Sequence, residues 1–155
     1  MKKEIMTKVS LEMGACLPSK GRSNDVGYDL TVYGIERTNR GLAETCTYLA
    51  DFGVAVEPPF GYYFELIPRS SIAWLGFIMP NSVGVIDPDY RGTLKMPLIF
   101  MGDPKSADRA AENLVGKRVA QLILRPMVTS EFVTVAFDEL SKTVRGNDGF
   151  GSSGQ

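Results

Sequence analysis

The sequence predicts an all-β fold, either a sandwich or a barrel, for a globular chain of 155 residues. Short runs rich in Val, Ile, Tyr and Phe recur along the chain, and these residues suit a pleated, half-buried surface. Gly and Pro, with 16 and 9 copies, are spread between the runs as turn signals. No window long enough for an ordinary helix holds a clean helical period.

The runs with strand character follow one another between these turn signals. The first alternates loosely between polar and apolar residues, whereas the later runs are denser in β-branched and aromatic side chains. The predicted strands are 5–11, 28–33, 48–56, 62–67, 83–86, 93–100, 119–124 and 132–137. Pro97 lies inside one of them, so a ladder hydrogen bond is missing there or a bulge intervenes. Short helices are predicted at 71–75 and 106–113.

The composition excludes several kinds of active site, because the chain contains no histidine. A Ser-His-Asp triad, a Cys-His pair, an HExxH zinc site and a histidine-carboxylate iron site are therefore ruled out. The formal net charge is −1, whereas a protein that binds duplex nucleic acid normally carries a basic excess. We expect no direct nucleic-acid partner. Any catalysis must use carboxylates, hydroxyls, Lys, Arg, backbone dipoles or a hard metal ion.

Targeting signals are absent from the sequence as written. The N-terminal segment is charged and polar where a signal peptide needs an apolar stretch, and no apolar run reaches the roughly 18 residues of a membrane span. Cys16 and Cys46 lack CxxC spacing, so we expect idle thiols in a reducing compartment, and nothing in the sequence supports a bridge between them. These features predict a soluble cytoplasmic protein with no membrane partner.

The segment VGVIDPDYRGTLKMPL, residues 83–98, predicts a hairpin with a polar turn. Asn81, Asp87 and Tyr90 lie close together in the sequence, and Gly84 leaves a gap beside them. A hairpin with such a gap can present bare backbone N–H and C=O groups to a small flat heterocycle. An ordinary hairpin without a ligand is the alternative.

Two further segments offer groups that bind anions. In PRSSIA, residues 68–73, Arg69 presents a fork of donors that matches phosphate oxygens, while Ser70 and Ser71 add hydroxyls at the start of a short helix. The alternative there is a helix capped by Ser70 with Arg69 in solvent. In GKRVAQLIL, residues 116–124, Arg118 and Gln121 interrupt an apolar run, and the alternative is a strand with one wet face.

The segment DVGYDL, residues 25–30, places a carboxylate among apolar neighbours. Asp29 is therefore predicted to form a structural salt bridge with an arginine. Gly27 beside it allows an unusual backbone angle or the close approach of another group.

The end of the chain, RGNDGFGSSGQ from Arg145, is too rich in Gly to bury a core of its own. We divide the chain into a β domain at 1–144 and a mobile Gly-rich tail at 145–155. The tail could wrap a polyphosphate through Arg145, Ser152 and Ser153, and Phe150 could stack on a base. A disordered end is the alternative.

These five segments, in this order and spacing, resemble the five motifs of the trimeric all-β dUTPases along almost the whole chain. The resemblance implies a distorted jelly-roll β-barrel and a homotrimer with shared active sites. It implies hydrolysis of dUTP to dUMP and pyrophosphate by water attack on the α-phosphorus, which limits uracil incorporation into DNA and supplies dUMP for dTMP synthesis. Mg²⁺ is the implied cofactor, held through the substrate phosphates and water without a direct protein ligand.

The resemblance also assigns roles to individual residues. Asp87 would hold and activate the attacking water. Recognition of uracil and deoxyribose would fall to Asn81, Gly84, Val85, Ile86, Tyr90, Lys95 and Phe150. Phosphate binding would fall to Arg69, Ser70, Ser71, Gln121, Arg145, Gly151, Ser152 and Ser153. Asp29 and Arg118 would support the site.

The implied recognition is steric as well as polar. Tyr90 would pack under the deoxyribose and leave no room for a 2′-hydroxyl. Asn81 and the backbone of Val85, Ile86 and Lys95 would read the uracil edge. Thymine would be refused because its methyl group clashes with the hairpin, and cytosine because its donor and acceptor pattern is reversed.

Some positions depart from the family pattern. Asp25 and Val26 stand where two alanines are usual, Lys117 replaces an acidic residue, and Ser71 stands where many members have glycine. The segment 102–115 is also longer than usual. None of these changes removes a catalytic group, and they would alter the surface or contacts with partners.

Rival functions remain to be tested. A dCTP deaminase of the same fold needs a glutamate five residues after the glycine that corresponds to Gly92, and the chain has Pro97 there. A dUTP-responsive regulator that binds nucleotide or a protein partner without turnover is a second alternative. A purely structural jelly-roll protein would not explain the polar segments.

Overall fold

The computed structural model describes residues 5–39 and 45–148, which form ten strands and four short helical elements. The strands are β1 (Lys8–Leu11), β2 (Tyr28–Thr31), β3 (Gly34–Thr38), β4 (Cys46–Asp51), β5 (Val54–Glu57), β6 (Tyr62–Pro68), β7 (Phe77–Ile78), β8 (Gly84–Ile86), β9 (Lys95–Phe100) and β10 (Arg118–Pro126). The helical elements are α1 (Ser71–Trp74), α2 (Ala107–Glu112) and 3₁₀ turns at Pro104–Ser106 and Phe137–Glu139. The all-β prediction is confirmed.

The strands form two four-stranded sheets and one strand pair, and all pairings are antiparallel. One sheet has the order β2-β10-β6-β8, the other has the order β3-β4-β9-β7, and β1 pairs with β5. Alternate side chains of both four-stranded sheets are buried in one common apolar core, which includes Leu30, Leu66, Leu122, Tyr48, Ala50, Met96 and Leu98. Two sheets closing on one core give the jelly-roll-like arrangement of the expected fold class.

The predicted strand 48–56 is wrong as a single element. The chain turns at Gly53, whose φ is +63°, and it separates β4 in one sheet from β5, which pairs with β1. A Cβ at Gly53 would lie 2.8 Å from the Cβ of Ala15, so the turn also permits a close approach. A single glycine within an apolar run is a weak turn signal, which is why the break was not predicted. The short strands β3 and β7 were also not predicted.

The predicted hairpin at 83–98 is also wrong. β8 pairs with β6, whereas β9 pairs with β4 and β7, so the chain crosses from one sheet to the other between Ile86 and Lys95. Two β-prone runs around a turn signal do not reveal whether they pair with each other or with strands distant in sequence. The segment therefore forms a corner between the sheets.

The predicted strand 132–137 is wrong as well. Residues 127–136 have no regular secondary structure, and the side chains of Phe132 and Phe137 are 96% and 87% exposed. The segment has the composition of a strand but no partner strand among the described residues, and a strand requires a partner to satisfy its backbone groups.

The predicted helices are confirmed, and α2 anchors the long segment 102–115 to the core. Ala107 and Ala111 are buried, and Asp108 accepts hydrogen bonds from the Tyr48 hydroxyl at 2.5 Å and from Arg37 Nη1 at 3.2 Å. Burial and this carboxylate raise the pKa of the Tyr48 phenol far above its usual range. The extra length therefore belongs to the packed domain.

Pro97 lies within β9 without disturbing its register. It faces Leu49 in a continuous ladder with β4, and the pairing of β7 reaches only Ile99 and Phe100. The side of Pro97 turned away from β4 therefore has no strand beside it, and its missing N–H is tolerated there.

Candidate active site

A cavity of about 450 Å³ opens where the segments 25–30, 68–73 and 116–124 meet. Its lining residues are Gly21, Arg22, Asp25, Val26, Gly27, Asp29, Arg69, Arg118 and Gln121. The lining carries three arginines and two aspartates, so its formal charge is positive and it suits an anionic ligand. Arg22 carries no sequence signal that could have identified it in advance.

Asp29 forms the ionic centre of this cavity. It lies on β2 opposite Gln121 of β10, and only 8% of its side chain is exposed. One carboxylate oxygen lies 3.3 Å from Arg69 Nε, and the other accepts a hydrogen bond from Arg118 Nη1 at 3.2 Å. The predicted pairing of Asp29 with an arginine is confirmed, and two guanidinium groups are fixed by one buried carboxylate.

The start of β10 contains an irregularity that brings Arg118 to Asp29. The register against β2 shifts between Arg118 and Ala120, and the Val119 carbonyl accepts a hydrogen bond from the Arg69 backbone N–H at 2.9 Å. Bulges of this kind redirect side chains and are common beside functional sites. Arg69 Nη1 also donates to the Arg118 carbonyl at 3.4 Å, so the two arginines are held together. The alternative of a solvated Arg69 is therefore not what the structure contains.

The two serines that follow Arg69 lie just beyond the cavity. Ser70 occupies the N-cap position of α1, but its side chain makes no capping hydrogen bond. Ser70 is exposed and Ser71 is half-buried, and neither lines the cavity. Because α1 spans four residues, it adds little dipole of its own, so the hydroxyls are the groups that remain available.

Gly27 makes room for Gln121. A Cβ at Gly27 would lie 2.9 Å from the Gln121 Cβ, closer than side-chain atoms normally approach. Of the two explanations that the sequence offered for this glycine, the close approach is the one that the structure contains. The glutamine amide thereby reaches the cavity wall between the arginine pair and the 21–27 loop.

The segment 81–95 forms a separate constellation outside this cavity. Ser82 has a φ of +59°, and the Val83 N–H donates to the Asn81 carbonyl at 2.5 Å in a tight three-residue turn. The Tyr90 N–H donates to the Asp87 carbonyl at 3.1 Å and closes a second turn. Asp87 is exposed, and its carboxylate accepts no hydrogen bond from residues 5–39 or 45–148. Strained backbone and a free carboxylate are features of functional sites.

The ring of Tyr90 is seated on its own turn. Its hydroxyl donates to the Thr93 carbonyl at 3.0 Å, and a Cβ at Gly92 would lie 2.7 Å from the ring carbon that bears this hydroxyl. Asp51 then accepts a hydrogen bond from Thr93 Oγ1 at 3.1 Å and lies 3.2 Å from Lys95 Nζ. No feature of the sequence predicted a role for Asp51, which anchors the far side of this turn.

β8 is an edge strand, because β6 pairs with it on one side and no other described strand lies beyond it. The backbone groups of Val85 and Ile86 that point away from β6 are therefore available to a ligand. A Cβ at Gly84 would lie 3.4 Å from Leu66 Cβ and 3.5 Å from Met79 Cε, so the space that this glycine leaves faces the protein interior.

The tail is only partly described. Arg145 is exposed, and its Nε donates to the Asp148 carbonyl at 2.9 Å. Phe150, Gly151, Ser152 and Ser153 lie outside the described residues.

No group of three His, Cys, Asp or Glu side chains within residues 5–39 and 45–148 is arranged to hold a metal ion. In the same part of the chain, no helix has the length and apolar character that crossing a membrane requires. Cys16 is exposed, Cys46 is buried, and both are free thiols.

A family model and individual relatives of known name both match this chain over most of its length. The family model described as dUTPase matches residues 14–154. The deoxyuridine 5′-triphosphate nucleotidohydrolase of Escherichia phage T5 is 38% identical over 154 residues, covering 96% of this chain and 99% of the relative. The enzyme of the same name from Mycobacterium tuberculosis H37Rv is 41% identical over 152 residues, covering 94% of this chain and 92% of the relative.

Solved structures agree with the sequence comparisons. A dUTPase of Staphylococcus bacteriophage 80alpha, solved with dUpNHpp, superposes with a TM-score of 0.75 at 25% identity, covering 97% of this chain and 99% of the other. A dUTPase of Staphylococcus aureus phage phi11, whose structure reveals the coordination of a structural Mg(II) ion, shares the fold with a TM-score of 0.65 at 21% identity, covering 86% of this chain and 99% of the other.

Proposed function

We propose roles for individual residues in the reaction of this chain, which belongs to the dUTPase family and hydrolyses dUTP to dUMP and pyrophosphate. This reaction limits uracil incorporation into DNA and supplies dUMP for dTMP synthesis. The observation that carries the proposal is the pair of guanidinium groups fixed by buried Asp29 in a cationic cavity. The triphosphate is the part of dUTP that such a cavity fits.

Arg69 is proposed to bind the triphosphate, with Arg118 and Asp29 holding its guanidinium in place. Asp29 neutralises part of the charge and occupies one donor of each arginine, which leaves the other donors free for phosphate oxygens. Gln121 adds an amide from the cavity wall. The hydroxyls of Ser70 and Ser71 extend the same surface, because they follow Arg69 directly in the chain.

Asp87 is proposed to hold and activate the attacking water. Its carboxylate is exposed and makes no hydrogen bond to the described residues, so it can accept one from water. A carboxylate that orients a water for in-line attack on the α-phosphorus supplies both position and a proton acceptor. The pyrophosphate leaves on the opposite side, where the arginines stabilise its developing charge.

Tyr90 is proposed to carry the deoxyribose, and the edge of β8 to read the base. The Tyr90 ring is 44% exposed, its hydroxyl donates to the Thr93 carbonyl and Gly92 lies against it, so it offers a fixed apolar surface to the sugar. Asn81 and the open backbone edge at Val85 and Ile86, together with the backbone of Lys95, supply donors and acceptors for uracil. Gly84 begins this edge, where its lack of a side chain lets β8 lie close to Leu66 and Met79.

Mg²⁺ is proposed as the cofactor, held by substrate and water. The carboxylates in the cationic cavity are already engaged, Asp29 by two arginines and Asp25 by the Arg22 backbone N–H at 2.7 Å. This donor set suits a hard ion that arrives with the polyphosphate and keeps its own waters. When bound, Mg²⁺ neutralises charge on the phosphate oxygens.

The complete site is proposed to form only in a homotrimer. Residues 81–95 do not line the cavity that contains Arg69, so one chain offers two half-sites. The exposed apolar side chains of 127–144, and an apolar groove of about 630 Å³ lined in part by Val9, Leu17 and Phe64, support association between copies. We also propose that residues 1–144 form the β domain and that residues 145–155 form a lid over the site.

In this proposal the lid comes from a further copy of the chain. Arg145 meets the γ-phosphate, and Phe150 covers the uracil. The backbone of Gly151 and the hydroxyls of Ser152 and Ser153 wrap the triphosphate.

Deamination of dCTP is disfavoured by the side chain at position 97. Pro97 is an integral part of the β9 ladder and carries no group that can move a proton. A regulator that binds dUTP or a protein partner without turnover is the second candidate.

The test is to incubate the protein with dUTP, dCTP, dTTP or UTP, with Mg²⁺ or with a chelator, and to resolve the products. We expect Mg²⁺-dependent conversion of dUTP alone to dUMP and pyrophosphate. Asp87→Asn should lose turnover by about a thousandfold while still binding dUpNHpp. Tight binding of dUTP without turnover by the natural chain would favour the regulator.

A further inference from the structure

We propose that Arg91 is a positioning residue that fixes the turn carrying Asp87. This inference rests on the proposed role of Asp87 in holding the attacking water. Arg91 Nη1 donates to the Pro88 carbonyl at 2.7 Å and to the Tyr90 carbonyl at 2.9 Å. One guanidinium nitrogen thus ties the two carbonyls on either side of Asp89 to each other.

The part of the turn between Asp87 and Tyr90 has few other restraints, since Asp51 anchors only the side of Thr93 and Lys95. It crosses between the two sheets, and its backbone ring is closed by one hydrogen bond, from the Tyr90 N–H to the Asp87 carbonyl at 3.1 Å. The Asp87 side chain has no partner among the described residues that could orient it. The direction of the Asp87 side chain therefore depends on the backbone of the turn, which the two hydrogen bonds from Arg91 hold in place.

The other side of the guanidinium faces the small sheet of β1 and β5. Arg91 Nε lies 4.0 Å from one carboxylate oxygen of Glu57, and Lys8 Nζ lies 2.7 Å from the other. Lys8 and Glu57 are also register partners in the β1-β5 ladder. The hydrogen bond from Lys8 lowers the pKa of the Glu57 carboxyl, so Glu57 stays charged opposite the arginine. The strand pair thereby gives the turn a fixed support.

The guanidinium is suited to this role because its donors lie in one plane at fixed angles. A lysine ammonium could bond both carbonyls from its single nitrogen, but it has no second nitrogen that could face Glu57 at the same time. A small displacement of the attacking water is costly, since misplacement by about 1 Å can slow a reaction by about a hundredfold.

The expected signature is a lower kcat with an unchanged KM, since the clamp acts on the water and not on the triphosphate. Arg91→Ala should lower kcat about tenfold and leave KM for dUTP and the affinity for dUpNHpp within about twofold. Arg91→Lys should lie between Arg91→Ala and the natural chain. Glu57→Gln should lower kcat by about twofold to threefold, because it weakens only the support.

The matched control is Arg109→Ala, which removes an exposed arginine of α2, remote from 81–95 in sequence. Hydrogen exchange at the Tyr90 amide gives a second readout, because loss of the clamp should speed its opening. An unchanged kcat in Arg91→Ala, or a loss carried by KM, would overturn the proposal; the second outcome would mean that Arg91 acts on substrate binding, through Tyr90 or directly on the phosphates. If Arg91→Ala does not fold, the same criteria apply to Arg91→Lys and Glu57→Gln.

Asp87→Asn is assayed in parallel, so that a failure of the proposed role of Asp87 can be distinguished from a failure of the Arg91 clamp. Retained activity in Asp87→Asn would remove the proposed role of Asp87. An inactive Asp87→Asn beside a fully active Arg91→Ala would remove only the clamp.

Discussion

At the scale of single residues, two glycines set the positions of two proposed substrate-binding side chains. Gly92 lies under the ring of Tyr90, and Gly27 lies against the side chain of Gln121. Neither has the positive φ that would require a glycine for backbone reasons alone. Their role is to leave volume that a neighbour fills, and their substitution should act through that neighbour.

Gly92→Ala should therefore alter sugar discrimination more than stability. The new methyl group overlaps the phenol of Tyr90, so the ring must leave its hydrogen bond to the Thr93 carbonyl. We expect the ratio of kcat/KM for dUTP to that for UTP to fall roughly tenfold, with little change in melting temperature. Steady-state kinetics with both nucleotides measure this.

The matched control is Gly34→Ala, because a Cβ at Gly34 meets no heavy atom within 4 Å. Equal selectivity in the two alanine variants would contradict the proposed seat for Tyr90.

Asp29 and Asp25 provide a second test at this scale. Each substitution to Asn removes one negative charge from the same cavity, but only Asp29 holds two arginines. Asp29→Asn should raise KM for dUTP about tenfold and lower stability by about 2 kcal/mol. Asp25→Asn should leave KM equal or lower, because the cavity becomes more positive while Asp29 still holds Arg69 and Arg118.

Isothermal titration with dUpNHpp and thermal melts measure both effects. If Asp29→Asn tightened binding as Asp25→Asn is expected to do, Asp29 would be acting only as a charge and not as an anchor.

At the scale of elements, β6 and β10 are joined by a polar cluster as well as by their ladder. Glu65 accepts hydrogen bonds from Arg125 Nε at 2.8 Å and from the Tyr63 hydroxyl at 2.9 Å. The hydrogen bond from Arg125 is the main cause of a lowered pKa for the Glu65 carboxyl, with the Tyr63 hydroxyl second. The hydrogen bond that each donates to Glu65 is in turn the main cause of a raised pKa for Tyr63 and for Arg125.

A lowered carboxyl pKa in the folded state adds stability above the unfolded pKa, which is near 4.3, and loses it as the pH falls through the folded value. The melting temperature of Glu65→Gln should therefore lie below that of the natural chain at pH 7. The gap should close as the pH falls below about 4 toward 3.

Thermal melts between pH 7 and 3 test this, with Glu112→Gln at the exposed end of α2 as a control that should show no such closure. A gap that stays constant down to pH 3 would mean that the Glu65 charge does not contribute.

At the scale of the whole molecule, the proposed site is divided between chains. Asp87 and Arg69 belong to different half-sites, so a chain with a defect in one can complement a chain with a defect in the other. Co-expression of Asp87→Asn and Arg69→Gln chains in equal amounts should restore activity that neither variant has alone. With random mixing, about a quarter of the sites hold both intact groups.

Light scattering should give the mass of a trimer, and activity of the co-expressed sample should approach about a quarter of the natural level. Absence of any recovery in a sample proven to contain mixed trimers would place both groups in one chain. Two chains isolated through different affinity tags provide that proof.

Much of this protein follows from its sequence. The absence of histidine removed whole classes of chemistry, and the lone carboxylate among apolar residues at Asp29 predicted its arginine partner. The dense β-prone runs predicted most strands, because side-chain shape and alternation are local properties. The five motifs, read in order, indicated the family and its substrate.

Only the tertiary structure decided which strands pair. β8 joins β6 and β9 joins β4, although the sequence between them has every sign of a hairpin turn, because burial of both sheets in one core favours distant partners. The same pairing created the corner that Arg91 clamps and Gly92 shapes. The run 132–137 forms no strand in the single chain. A strand needs a second segment to accept and donate its backbone hydrogen bonds, and a local sequence pattern cannot show whether that segment is present.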